Sequence, residues 1–158
     1  MSDGIRGGRP RLRGDSTLKP PANPEKIKKR VLFVCIGNAC RSQMAEAFAR
    51  AYGSDTLSAY SAGLSPAGIL PPLTRQVLSE KNIPAEGQFP KGLGAFAGQP
   101  FEVVVNMSGE RLPSALAATR LIEWIVRDPI GESESVYRAV AAQIEGLVMR
   151  LIIELRGT

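Results

Sequence analysis

Not one histidine occurs in the 158 residues, and cysteine occurs only twice. Without histidine no Ser-His or Cys-His dyad can form, and a zinc site would have to be assembled from carboxylates and two thiols. Two cysteines only five positions apart do not make the disulfide framework of a small secreted protein. No apolar run approaches ~18 residues, so no segment reads as a membrane-spanning helix. The basic N-terminus lacks the apolar stretch of a secretory signal. These absences make a cytoplasmic location the expectation, with no membrane partner.

The excess of basic charge is also absent from most of the chain. Residues 1–30 carry nine Lys/Arg and three Asp/Glu, whereas residues 31–158 carry eleven and twelve. The formal charge of +5 therefore belongs to the first thirty residues. A nucleic-acid-binding fold should carry its basic patch on the folded surface, so no nucleic-acid partner is expected. Residues 1–28, rich in Gly, Pro and charge and poor in large apolar side chains, read as a disordered basic tail. Residues 29–158 read as one domain, long enough to bury a single core.

What is present is an alternation of short apolar strands and helix-length segments. VLFVC, residues 31–35, is a continuous apolar run of the kind that forms a buried parallel strand. A helix follows from 41 or 42 to 52, with Met44, Phe48, Ala51 and Tyr52 on one face and Gly53 just past its end. Residues 56–62, 101–107 and 121–126 read as further strands. Helices are expected over 71–81, opened by prolines suited to a first turn, and over 132–155. No repeat is apparent. This order predicts an α/β domain: a four-stranded parallel sheet with helices on both faces, a three-layer flavodoxin-like arrangement. Ligands in such sheets bind beyond the carboxyl ends of the strands. Cys35 ends the first strand and Asp128 follows the fourth, so both fall on that edge.

The loop CIGNACRS joins the first strand to the first helix. Gly37 and Asn38 are the residues most able to take left-handed backbone angles in so short a wrap. The amides of Ile36, Gly37, Asn38, Ala39, Cys40, Arg41 and Ser42 would then converge into a nest of phosphate size, reinforced by the helix N-terminus. Arg41 offers a planar fork for two oxygens. Cys35, at the rim, is placed to act as a thiolate nucleophile for phosphoryl transfer. Asp128 is a carboxylic acid that could protonate a leaving oxygen and later take a proton from water. Glu132 and Ser133 are better placed than Asp128 to start the last helix. Cys40 reads either as a small buried residue or as a redox partner that bonds to Cys35 on oxidation. Trp124 reads as packing.

VLFVCIGNACRS, together with RDP at 127–129, resembles the low-molecular-weight protein tyrosine phosphatase family, whose phosphotyrosine phosphatase I fold is shared with thioredoxin-linked arsenate reductases. The resemblance runs from about residue 31 to 155. It implies Cys35 as nucleophile, Arg41 as phosphate clasp, Asp128 as general acid, and Ser42 as the serine that eases thiolate departure. The family's second loop cysteine falls on Cys40, and its loop asparagine on Asn38. Ser61, in YSAG, falls on the supporting serine that pins that asparagine. No cofactor and no metal is implied.

Two departures bear on substrate. Ile130 and Gly131 stand where phosphotyrosine-specific members place aromatic walls. Gln43 follows Ser42 where the phosphatases have proline, a feature closer to the arsenate reductases. The thioredoxin-linked reductases need further downstream cysteines, and none follows Cys40. Three readings stay open. One is a phosphomonoester hydrolase acting on a phosphorylated protein or small phosphomonoester through a phosphocysteine. The second is an arsenate reductase using an external thiol donor, and the third a phosphate-binding module without turnover.

Overall fold

A computed structural model describes residues 27–158 except 115 and 117, so the expected tail lies almost wholly outside the described residues. Four strands, β1 (Lys29–Cys35), β2 (Leu57–Gly63), β3 (Phe101–Asn106) and β4 (Ala118–Glu123), form one parallel sheet. The helices are α1 (Arg41–Gly53), α2 (Pro72–Glu80) and α3 (Glu134–Arg156), with a 3-10 turn at Leu93–Phe96. The sheet order is β2-β1-β3-β4. The chain thus leaves β1 toward one side and returns to build on the other. That reversal opens a crevice at the carboxyl ends of β1 and β3, where Cys35 stands.

The central strand shows why the apolar run in β1 is continuous. Val31, Phe33 and Cys35 point into a core shared with all three α-helices, whereas Leu32 and Val34 face a second, smaller core. Both sides are dry, so alternation of polar and apolar residues has no place there. The helix side carries Met44 and Phe48 from α1, Val77 and Leu78 from α2, and Tyr137, Ile144 and Val148 from α3. On the second face the helical cover among the described residues is the 3-10 turn, whose Phe96 packs edge-on against Phe101 and Tyr60. Burying each large side chain in these cores contributes roughly 1.5–3 kcal/mol before entropy is counted.

One boundary differs materially from the sequence expectation. The fourth strand runs over Ala118–Glu123, three residues earlier than 121–126. The apolar stretch LIEWIV misplaces it because its residues serve different ends. Leu121 and Ile125 are exposed. Trp124 leaves the ladder, its N–H donating to Asn106 O at 3.0 Å while its ring packs on Phe33. Trp124 is therefore packing, as expected. Ser133 caps α3, its hydroxyl accepting from Val136 N–H. No helix among the described residues is long and apolar enough to cross a membrane.

Candidate active site

β1 ends at Cys35, and α1 begins at Arg41 with Cys40 as its N-terminal cap residue. No side chain caps α1, so its first-turn amides stay open toward the intervening loop. Asn38 takes the left-handed conformation (φ 50°) that the wrap demands. Gly37 was expected to share it and does not. Its one-turn reversal is completed by Asn38 alone.

The six carbonyls of the loop all face outward, and each has a donor. Those of Cys35, Ile36 and Gly37 accept from the N–H groups of Leu64 (3.1 Å), Ser65 (2.8 Å) and Ala67 (2.9 Å). The Asn38 carbonyl accepts from Gln43 Nε2 at 3.1 Å, and that of Ala39 from Thr74 Oγ1 at 2.9 Å. The Cys40 carbonyl accepts from Met44 N–H at 2.8 Å. In a trans peptide the carbonyl and the next N–H point in opposite directions. Six outward carbonyls therefore turn the N–H groups of residues 36–41 the other way. Among the described residues, the amides of 37–43 donate to no carbonyl or side chain. That is the geometry of an anion nest.

Gly63 makes the arrangement possible. A Cβ there would lie 2.6 Å from Ile36 O and 2.7 Å from Asn38 N, inside the loop's own backbone. Sequence reasoning passed over it, although a glycine directly after strand residues in YSAG was the available signal.

Asn38 organises the interior. Its Oδ1 accepts from Lys91 N–H and Gln43 Nε2, both at 3.0 Å. A backbone N–H can only donate, so Oδ1 is fixed there and Nδ2 must point the other way. Nδ2 donates to Ser42 Oγ at 2.7 Å. The Ser42 hydroxyl in turn lies 2.9 Å from Cys35 Sγ, a contact in which either atom can be the donor. Ser61 does not pin Asn38 as expected. Its hydroxyl donates to the buried Glu46 carboxylate, which also pairs with Arg50 at 2.6 Å. Lys91 N–H and Gln43 occupy the positions that would have been left for it.

Arg41 is buried, and its guanidinium is divided. Nη1 donates to Met107 O (2.6 Å) and Val126 O (3.1 Å), which locks the plane. Nη2 lies 3.5 Å from Asp128 Oδ2. Nε is buried and has no partner among the described residues. Nε and Nη2 form one edge of the guanidinium, the edge that grips two oxygens of a tetrahedral anion.

Cys35, Ile36, Gly37, Ala39, Cys40, Arg41 and Asp128 line a single pocket of about 250 Å³, closed on its lip by Ala67 and Ile130. Asn38 and Ser42 are fully buried behind it. A larger cavity of about 550 Å³ lies on the second face of the sheet beside Val104, Leu112 and Leu121, and neither cysteine lines it. Asp128 is half exposed, and its Oδ1 accepts from Ile130 N–H at 3.1 Å. Both cysteines are free and buried. Burial raises the Cys40 thiol's pKa above its ordinary value, against the opposing contacts of Thr74 and Tyr137. Its Sγ lies 3.6 Å from Tyr137 Oη.

A family model described as "Low molecular weight phosphotyrosine protein phosphatase" matches residues 30–158. The chain belongs to the low molecular weight phosphotyrosine protein phosphatase family. Its relatives within and beside that family carry two kinds of name. A glutaredoxin arsenate reductase of Synechocystis is 33% identical over 130 residues, covering 80% of this chain and 98% of that protein. An arsenate reductase of Bacillus cereus is 31% identical over 126 residues, covering 78% and 93%. Among solved structures, an arsenate reductase in a phosphate-binding state superposes with a TM-score of 0.75 at 32% identity, covering 80% of this chain and 98% of that one. The YwlE arginine phosphatase of Geobacillus stearothermophilus gives 0.69 at 27%, covering 82% and 94%. The chain is thus an enzyme-family member whose relatives include both phosphatases and arsenate reductases.

Proposed function

We propose that the protein is a cysteine-dependent phosphomonoester hydrolase working through a phosphocysteine intermediate. The observation that supports this reading best is the pinned loop. Six outward carbonyls and a buried Arg41 Nε with no partner among the described residues surround the position above Cys35 Sγ where a phosphoryl group would be held. In this reading Cys35 attacks phosphorus and the ester P–O bond breaks, while Asp128 gives its proton to the leaving oxygen. The Asp128 carboxylate then accepts a proton from water, which attacks phosphorus. The S–P bond breaks, and the Ser42 hydroxyl stabilises the departing thiolate. Charge spread over the equatorial oxygens in each transition state is met by the nest and the Arg41 edge. A phosphorylated protein or a small phosphomonoester is the substrate, and a lip of Ile130 and Ala67 gives it an aliphatic rather than aromatic wall. Two free cysteines suit a cytoplasmic location.

A second reading is favoured by Gln43 and by the curated relatives: arsenate reduction with an external thiol. Arsenate has the shape and charge of phosphate. Its two-electron reduction to arsenite requires two thiols to become one disulfide. Cys35 supplies one, and Cys40 or an external thiol the other, since the chain has no third cysteine. The two readings are separated by running two assays on one preparation. Hydrolysis of an aryl phosphate without added thiol is the expected result. Oxidation of glutathione that depends on arsenate, with no ester hydrolysis, would replace the first reading by the second.

A further inference from the structure

Of the six bonds that hold the loop carbonyls outward, four come from main-chain N–H groups and survive any side-chain change except proline. Two come from side chains. Gln43 is one of these, but it also bonds Asn38 Oδ1, Phe89 O and Gln88, so its contribution is spread over a network. Thr74 is different. It sits in the first turn of α2, 35 residues from Ala39, is fully buried, and its hydroxyl donates to the Ala39 carbonyl at 2.9 Å. The peptide that follows that carbonyl carries the Cys40 N–H.

We infer that Thr74 is a positioning residue for oxyanion binding: by holding the Ala39 carbonyl outward it aims the Cys40 N–H into the pocket. The inference rests on the oxyanion-site reading above, and concerns how one arm of that site is kept in place. Without the hydroxyl, the buried Ala39 carbonyl has no donor, and an unsatisfied buried carbonyl is costly. The 39–40 peptide can relieve that cost by rotating its carbonyl toward the pocket, where it would replace a donor with an acceptor facing an anion. An isolated packing role for Thr74 would have no such consequence. A threonine there would then be as good as a valine.

The test compares wild type with Thr74→Val, which keeps the shape, and Thr74→Ser, which keeps the hydroxyl. Binding of inorganic phosphate and of arsenate is measured by calorimetry, and the Cys40 amide is followed by NMR during the phosphate titration. Thr74→Val should weaken phosphate binding about tenfold and abolish the phosphate-induced shift of the Cys40 amide. Thr74→Ser should restore both. Leu151→Ala, a cavity in α3 away from the loop, controls for lost stability and should leave phosphate binding unchanged. The Thr74 hydroxyl also interacts with the Cys40 thiol. The Thr74→Val loss should therefore persist in a Cys40→Ala background, because the carbonyl is main chain. Unchanged phosphate binding in Thr74→Val, or a loss that vanishes in the Cys40→Ala background, overturns the inference alone. Failure of wild type to bind either oxyanion overturns the site reading, and the inference with it.

Discussion

On the floor of the pocket Cys35 and Arg41 are 2% and 6% exposed, whereas on its lip the Asp128 side chain is 48% exposed. Every loop carbonyl on the floor is bonded, and Arg41 is clamped by two carbonyls from the ends of β3 and the β4 connection. Asp128 is held by one bond from Ile130 N–H and a 3.5 Å contact to Arg41. In the proposed hydrolysis the floor presents donors at fixed points to a charge that changes little, a task that preorganisation serves. In the same proposal the lip approaches a leaving group whose size varies, then a water. A half-exposed carboxylate on a short turn can do both, at the cost of weaker positioning.

The largest effect should come from the floor. Cys35→Ser should lower aryl phosphate turnover by roughly 10⁴–10⁶-fold and leave phosphate binding nearly intact, because the nest is main chain. Parallel loss of binding and turnover would mean that Cys35 organises the loop rather than attacks. Arg41→Lys should weaken both, since an ammonium cannot keep two carbonyls at Nη1 and still offer a planar edge.

A change on the lip should be smaller and selective. Asp128→Asn should cost about 10²–10³ in kcat for esters with poor leaving groups and less for those with acidic phenols. The pH profile should lose the limb that requires a protonated acid. Rates over a series of aryl phosphates provide the measurement. A slope against leaving-group acidity equal to that of wild type removes Asp128 from the proton transfer. It would leave it as the turn residue that its Ile130 bond also makes it.

Much of the floor was legible from the chain and much of its support was not. The run VLFVC followed by GN and then ACRS dictates a buried strand, a tight wrap and a helix start, because each step has a local physical cause. The expected α2 and α3 boundaries fall within two residues of those observed, Pro72–Glu80 and Glu134–Arg156. Thr74 and Lys91 carry no local signal, since their roles exist only where separate segments meet, and Gly63 carries only a weak one, a glycine at the end of a strand. Ser61 shows the converse: a position carried over by resemblance, redirected here by Glu46. β4 starts earlier than its apolar stretch suggests because its register is set by pairing with β3, while Trp124 packs on the core and Val126 serves both the core and the Arg41 clamp.

The close contact of the two loop backbones offers a test between these extremes. Gly63→Ala puts a methyl against Ile36 O and Asn38 N, groups that belong to main chain and cannot swing away. A loss of about 1–3 kcal/mol in stability is expected, with kcat/KM down about tenfold because the nest is pushed open. Denaturant unfolding and kinetics on one preparation measure both. Full stability with full activity would show that the floor tolerates displacement, and would erase the contrast with the lip.

The smallest effect should come from beneath the floor, where α2 is tied to α3. Glu80 accepts from Arg138 Nε at 3.0 Å and Nη2 at 2.9 Å, and the pairing pulls its carboxyl down to about 2 from 4.5. The sign follows from linkage: a depressed carboxylate pKa contributes stability that is fully present above about 4.5 and is lost as pH falls toward about 2. The pair is solvent-exposed and salt-screened, so its contribution is small. Glu80→Gln should therefore lower Tm slightly at pH 7 and not at all near pH 2, with the difference shrinking in high salt. Aryl phosphate kinetics at pH 6 should be unchanged, because Thr74 is held at the other end of α2 by packing of Val77 and Leu78. A drop in phosphate affinity in Glu80→Gln would show that the surface pair, and not the core, keeps α2 under the loop, and that the floor is less rigid than its buried bonds imply.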